Sequence, residues 1–196
     1  MITPTRRPAL FLDRDGVINK EVHYLHRIKD FVFIPGVFDT CRMFQNAGFA
    51  LIVVTNQSGI ARGYYSEEEY HILTRWMIER FDEQGITLTD VMYCPHHPKG
   101  AVPQYRVQCS CRKPKPGMIV GACARHGIDP AASIMVGDKF SDIQAGRSAG
   151  IGRLVLVHSD YEINLEEAQQ AHHVAESIGH SSFQRWVFQD DIAVAK

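Results

Sequence analysis

Net charge is nearly absent from this sequence: 21 Lys and Arg against 22 Asp and Glu leave −1 at pH 7. Nothing therefore argues for a nucleic-acid groove or an anionic membrane surface as partner. No apolar run approaches the roughly 20 residues that cross a bilayer. The opening residues, Met1-Ile2-Thr3-Pro4-Thr5-Arg6-Arg7-Pro8, hold neither an apolar core nor a small-residue cleavage site. The Arg6-Arg7 pair runs straight into apolar sequence, so neither a secretory nor a twin-arginine signal is expected, and the expected compartment is the cytoplasm. Cysteine is scarce and odd in number, five in 196 residues, which speaks against a disulfide framework there. Internal repeats and low-complexity linkers are also missing, and the length suits one domain, residues 1–196, expected to be a monomer.

What the sequence does hold is an alternation of short apolar runs and helical patterns. Ala9-Leu10-Phe11-Leu12 suits a strand buried in a parallel sheet. An irregular stretch over 19–35 leads to a helix over about 37–47, which Gly48 ends. A second strand follows over 49–54. Ser66-Glu67-Glu68-Glu69 resembles a capping box for a helix running to about Gln84, and a third strand lies around 91–93. Further helices are expected over 116–127 and 141–149, with strands over 133–136 and 154–157. Residues 158–196 suggest a closing helix and strand with a polar tail, and carry no legible chemistry. The rhythm predicts an α/β fold, a doubly wound and mostly parallel sheet of Rossmann type.

Acidic residues stand where the strands end. Asp13-Arg14-Asp15-Gly16 breaks the first strand, with Gly16 giving a sharp exit. The carboxyl edge of an open parallel sheet is where ligands bind. Two carboxylates two residues apart can divide phosphoryl transfer between a nucleophile and a proton shuttle. Thr55 offers a hydroxyl at the end of the second strand, and the glycine-bearing turn Asn56-Gln57-Ser58-Gly59 offers N–H groups, both suited to phosphate oxygens. Asp138 ends the fourth strand, with Asp142 four residues on, and carboxylates gathered near a phosphate suit Mg²⁺. A cation against the spreading transition-state charge can come from Arg112-Lys113-Pro114-Lys115, where Lys113 and Lys115 compete for the role.

A second signal is Cys94-Pro95-His96-His97 followed by Cys109-Ser110-Cys111. The Cys-x-His and Cys-x-Cys pairs supply four soft ligands, Cys94, His96, Cys109 and Cys111, for tetrahedral Zn²⁺, with His97 the spare. Four protein ligands close the site, which makes the zinc structural. It would pin a loop at about 94–111 against the strand end that carries Arg112 and Lys113. Cys41 and Cys123 fall within helical patterns and read as small core residues.

Taken in order, Asp13-Arg14-Asp15-Gly16, Thr55-Asn56-Gln57-Ser58-Gly59, Arg112-Lys113-Pro114 and Gly137-Asp138-Lys139-Phe140-Ser141-Asp142 resemble the motifs of the haloacid dehalogenase superfamily of phosphatases. The likeness covers roughly residues 8–157. It implies that Asp13 attacks phosphorus and forms an aspartyl-phosphate, while Asp15 protonates the leaving alkoxide and then activates water. It also implies that Thr55 and Lys113, rather than Lys115, hold the phosphoryl oxygens. Asp13, the backbone carbonyl of Asp15, and Asp138 would bind Mg²⁺. No cap-sized insertion follows either of the first two motifs, so a capless enzyme with a zinc-bound loop is expected.

That zinc loop and the run from Asn56 to Gly63 narrow the resemblance to the sugar-bisphosphate phosphatases that remove the 7-phosphate of a heptose 1,7-bisphosphate. Those enzymes supply heptose for lipopolysaccharide and other surface glycans. The partner implied is a small-molecule sugar bisphosphate. The substrate contacts implied are Asp13, Arg14, Asp15, Glu21, Val22, His23, Tyr24, Thr55, Asn56, Gln57, Ser58, Arg112, Lys113 and Lys139. Of these, Arg112 or Lys139 is available to a second phosphate. Histidinol-phosphate phosphatases, which share the motifs and a similar zinc loop, are the alternative.

Overall fold

The computed structural model describes residues 6–189. Its strands are β1 (Ala9–Leu12), β2 (Ala50–Asn56), β3 (Asp90–Cys94), β4 (Ile134–Gly137), β5 (Arg153–Val157) and β6 (His173–Ala175). All pair in parallel, in the order β3-β2-β1-β4-β5-β6. This is the doubly wound arrangement that the alternating pattern predicts. The chain travels outward from β1 to β3, then returns to the other side of β1 as β4. The topological switch point therefore lies between β1 and β4, where an open α/β sheet forms its ligand crevice.

Successive side chains along a strand face opposite ways, and both faces are covered. On one, Leu10 and Leu12 join Leu51, Val53, Val136 and Val155. Packed against them are α1 (Val37–Asn46), α3 (Glu67–Glu83) and α7 (Ser181–Gln189), which contribute Val37, Phe44, Leu73, Met77, Phe81 and Phe183 to the same cluster. On the other face, Ala9 and Phe11 join Ile52, Val54, Met135 and Leu154 beneath α4 (Gly117–His126) and α5 (Phe140–Ser148). A strand buried on both faces has no polar side, which is why the sequence shows these segments as unbroken apolar runs. Ser66 caps α3 as its sequence predicts: Ser66 Oγ accepts the Glu69 N–H at 3.1 Å, and Glu69 Oε2 accepts the Ser66 N–H at 2.8 Å.

One feature differs from the sequence reading and another extends it. Asn56-Gln57-Ser58-Gly59 reads as a glycine turn, yet Ser58 opens a short helix, α2 (Ser58–Arg62). Gly59 is there for packing rather than for turning, since a Cβ on it would lie 2.1 Å from the Tyr65 ring. Beyond β5 the chain forms a short helix, α6 (Leu165–Ala168), before β6 and α7, so the expected closing strand adds a sixth member to the sheet. Residues 190–196, the end of the stretch expected to close with a polar tail, lie outside the described residues. Cys41 is wholly buried in α1, where burial pushes its thiol up to about 12, and Cys123 packs half-buried on the α4 side. Among the described residues no helix is long and apolar enough to cross a membrane.

Candidate active site

Because β1, β2 and β4 are parallel neighbours, their carboxyl ends bring Asp13, Thr55 and Asp138 to one edge of the sheet. Asp13 extends the ladder by one residue, its N–H donating to Val136 O at 3.0 Å. Asp13, Asp138 and Asp142 are all buried, and they set carboxylate oxygens within 4.8 Å of one another. One buried cation stands among them. Lys113 Nζ lies 3.0 Å from Asp13 Oδ1 and 2.7 Å from Asp142 Oδ1, and it donates to Val54 O at 2.7 Å.

Three acids against one fully buried lysine, with Lys139 at 3.9 Å from Asp138 on the cleft side, leave excess negative charge in a dry setting. Burial pushes the Asp13 carboxyl up to about 6; Lys113 pulls it down and Asp142 adds to the rise. Asp138 is driven up to about 8 by burial and then by Asp13 and Asp142. The oxygens are not equally free. Asp142 Oδ2 accepts the Lys139 N–H at 3.0 Å while its other oxygen meets Lys113. Asp138 Oδ2 accepts from Ser159 Oγ at 2.9 Å, and Asp138 Oδ1 has no hydrogen-bond partner. A buried carboxylate oxygen without a partner, inside an acidic cluster, fits a hard divalent cation held by Asp138 and Asp13.

Gly16 makes this approach possible. It sits at φ +84°, and a Cβ there would fall 2.3 Å from Asp138 Oδ2. Gly16→Ala is expected to cost about 1–2 kcal/mol in the left-handed backbone. The same change displaces Asp138 and lowers activity on the order of 100-fold. Thermal melts, with rates at graded divalent-cation concentration, check this; an unaltered cation requirement refutes it.

Asp15 lines the adjoining cleft, held from several sides. Its carboxylate accepts from Arg14 Nε at 3.1 Å and Nη2 at 3.0 Å, from Asn19 Nδ2 at 3.0 Å and from Gln57 Nε2 at 3.2 Å. Gln57 Nε2 also donates to Thr55 Oγ1 at 2.8 Å, and Gln57 Oε1 accepts from Tyr65 Oη at 2.6 Å. One amide thus links Thr55, Asp15 and Tyr65. Arg14 is only 1 % exposed. Its guanidinium is taken up by Asp15, by Leu25 O and by Gln57 Oε1, so its side chain aims Asp15 and does not line the cleft.

The cleft has a volume of about 320 Å³. Of the residues singled out by sequence, Asp15, Glu21, His23, Tyr24, Asn56, Gln57, Ser58, Arg112, Lys113 and Lys139 line it; the buried Asp13 and Thr55 and the 40 % exposed Val22 stand outside the lining. Asn56 faces the cleft and also clamps the Lys113 backbone, its amide accepting the Lys113 N–H and donating to Lys113 O, each at 3.1 Å. Tyr65, Ser141 and Tyr161 line the cleft as well, and sequence reasoning missed them. A signal for the last existed: β5 ends at Val157 on the same edge as β1 and β4, so the strand-end rule points to the residues just past it.

Beside the cleft, Cys94, His96, Cys109 and Cys111 bring their ligand atoms within 4.8 Å of one another. Cys94 Sγ is 3.5 Å from Cys109 Sγ and 3.2 Å from Cys111 Sγ, and His96 Nδ1 is 3.7 Å from Cys94 Sγ and 3.4 Å from Cys111 Sγ. A tetrahedron with Zn–S near 2.3 Å and Zn–N near 2.0 Å has edges of about 3.5–3.8 Å. The four groups therefore suit one Zn²⁺, and all five cysteines are free thiols. His97 is turned away, its Nε2 meeting Arg62 Nη2 at 3.2 Å. The cluster leads directly into Arg112 and Lys113.

Residues 110–181 match the family model described as HAD-hydrolase-like. Over 171 residues, 87 % of this chain and 91 % of the relative, the sequence is 47 % identical to the D-glycero-beta-D-manno-heptose-1,7-bisphosphate 7-phosphatase of Yersinia pestis. Over 151 residues, 77 % of this chain and 82 % of the relative, it is 50 % identical to the D-glycero-alpha-D-manno-heptose-1,7-bisphosphate 7-phosphatase of Photorhabdus laumondii. A similar fold is found in the crystal structure of D,D-heptose 1,7-bisphosphate phosphatase from B. bronchiseptica, complexed with magnesium and phosphate. The TM-score is 0.77, with 26 % identity over 94 % of this chain and 99 % of that one.

Proposed function

The chain belongs to the heptose-1,7-bisphosphate 7-phosphatase family of HAD-like hydrolases, and on that premise we propose that it removes the 7-phosphate of D-glycero-D-manno-heptose 1,7-bisphosphate. It is a phosphatase. The observation that carries the mechanism is the buried pair of Asp13 and Lys113, 3.0 Å apart, beside a cleft that also holds Asp15. Asp13 adds to phosphorus while Asp15 gives its proton to the departing sugar oxygen. Asp15 then takes a proton from water, whose attack on the aspartyl-phosphate frees Asp13 and releases phosphate. Lys113 and the Thr55 hydroxyl hold the phosphoryl oxygens. A Mg²⁺ held by Asp13, Asp138 and the Asp15 carbonyl would neutralise charge on the phosphate beside the nucleophile.

Arg14 acts through Asp15, fixing the carboxylate that shuttles the proton. Glu21, His23, Tyr24, Ser58, Arg112 and Lys139 surround the sugar and its second phosphate. Cys94, His96, Cys109 and Cys111 would hold a Zn²⁺ that ties down the loop presenting Arg112 and Lys113. The whole chain acts as a single catalytic domain, a cytoplasmic monomer whose product enters nucleotide-activated heptose synthesis for lipopolysaccharide or other surface glycans.

Phosphate release with Mg²⁺ from the α and β anomers of heptose 1,7-bisphosphate, beside histidinol phosphate, tests the reading. A kcat/KM for either heptose anomer far above that for histidinol phosphate is expected. The reverse preference would move the enzyme to histidinol-phosphate chemistry.

A further inference from the structure

The loop after β5 carries groups that the mechanism above does not use. Ser159 Oγ donates to Asp138 Oδ2 at 2.9 Å and accepts the Tyr161 N–H at 3.3 Å, which ties the loop to the residue that follows β4. The Tyr161 ring then lies over Lys139, whose Nζ is 4.3 Å from the ring centroid. The same ammonium is 2.9 Å from Glu21 Oε2 and 3.9 Å from Asp138 Oδ2. Lys139 and Tyr161 both line the cleft.

A lysine side chain is long, and this one is 36 % exposed. Left loose, it would have to be ordered by the substrate, at the cost of rotamer freedom. Held by carboxylates alone, its charge would be cancelled before a phosphate arrived. An aromatic face attracts an ammonium through its quadrupole and carries no net charge. Glu21 and Asp138 hold the ammonium by charge, and the Tyr161 ring adds a restraint that brings no further negative charge to it.

We infer that Tyr161 is a positioning residue for substrate binding: its ring face fixes the Lys139 ammonium at the cleft, where Lys139 receives a phosphate oxygen of the substrate. This rests on the proposed function only for which phosphate ester is bound. Tyr161 is 37 % exposed at its place in the loop, so substitutions there leave the core intact.

The test compares Tyr161→Leu, Tyr161→Phe, Lys139→Met and the Tyr161→Leu/Lys139→Met pair, using heptose 1,7-bisphosphate as substrate. Tyr161→Leu is expected to raise KM about 3- to 30-fold, with the loss falling on KM rather than kcat and with melting temperature unmoved. Tyr161→Phe, which keeps the ring, recovers most of that loss. In the Lys139→Met background the leucine adds nothing further. An unchanged KM in Tyr161→Leu, an equal loss in Tyr161→Phe, or a fully additive loss on Lys139→Met overturns the assignment. The same series is read by the inhibition constant of fructose 1,6-bisphosphate, which offers a phosphate at each end, against p-nitrophenyl phosphate hydrolysis. If the wild-type enzyme turns over that ester but not the heptose, the substrate reading falls, and the bisphosphate inhibition constants still decide the role of Tyr161.

Discussion

Asp13→Asn is expected to lower kcat on the order of 10⁴-fold or more and, without metal, to raise the melting temperature. The first effect follows from the chemistry: an amide is nearly isosteric with the carboxylate but does not form the aspartyl-phosphate. The second follows from the surroundings. Asp13 is buried among Asp138 and Asp142 with one fully buried lysine to share, and Lys113 keeps its 2.7 Å contact with Asp142 when Asp13 is neutralised. The folded protein holds the Asp13 proton up to about pH 6, against an ordinary value of 3.8. Folding is therefore favoured by this group at low pH, and the advantage is lost as pH rises through about 6. Asp138, pushed up to about 8, extends the same loss toward neutral and mildly alkaline pH. Metal-free wild type should melt lower at pH 8 than at pH 5, and Asp13→Asn should narrow that gap. Added Mg²⁺ should stabilise wild type more than the variant, since a ligand that binds only the folded state raises stability by mass action. Thermal melts at the two pH values, with and without Mg²⁺, and single-turnover assays read both effects. Appreciable turnover in the variant would sink the nucleophile assignment, and a lower metal-free melting temperature would show that the cluster is not under charge strain.

The sheet was legible because its strands are covered on both faces. Ala9–Leu12 is buried at every position, so the sequence shows it as an uninterrupted apolar run at the head of an acidic motif. The positions of Asp13, Thr55 and Asp138 followed from strand ends, which need no knowledge of side-chain direction. Direction is what sequence withholds. Arg14 sits between two site carboxylates, yet its guanidinium is buried behind Asp15 rather than set in the cleft, and no spacing distinguishes those outcomes. Gly59 reads as a turn residue although its role is to admit the Tyr65 ring. β6 is three residues long and only part-buried, His173-Val174-Ala175, so it lacks the apolar signature of the inner strands. Ser159 and Tyr161 reach the site from the far side of β4, in a segment whose own composition is unremarkable for a loop.

The loop that carries Cys94, His96, Cys109 and Cys111 has little apolar core, so a Zn²⁺ held by these four residues would supply much of its order. Between Cys94 and Met118, among the described residues, Pro95 is the one buried apolar residue besides glycine, and Tyr105, Cys109 and Cys111 are only partly buried. The loop has side-chain anchors, such as Tyr105 Oη on Glu67 Oε2 at 2.6 Å, but no core of its own. With so little apolar burial, the ordering entropy of those residues must be offset mainly by other contacts, and metal–thiolate bonding would be the strongest of them. Cys111→Ser is therefore expected to abolish stoichiometric zinc binding and to lower stability by several kcal/mol, or about 2–4 °C in melting temperature for each kcal/mol in a chain of this size. Activity should fall with it, because Cys111 is two residues from Lys113, whose ammonium must stay within reach of Asp13. A displacement of about 1 Å in such a group costs on the order of 100-fold in rate. Asn56 clamps the Lys113 backbone from β2 through two 3.1 Å hydrogen bonds, so part of the geometry survives and the loss should be smaller than that of Asp13→Asn. Cys123→Ser, in α4 and outside the cluster, is the control and should keep both its zinc and its rate. Elemental analysis, melting and steady-state kinetics on the two variants decide the matter. Full zinc occupancy in Cys111→Ser would remove that thiol from the ligand set, and lost zinc with undiminished activity would show that Lys113 is positioned by Asn56 and the acids alone.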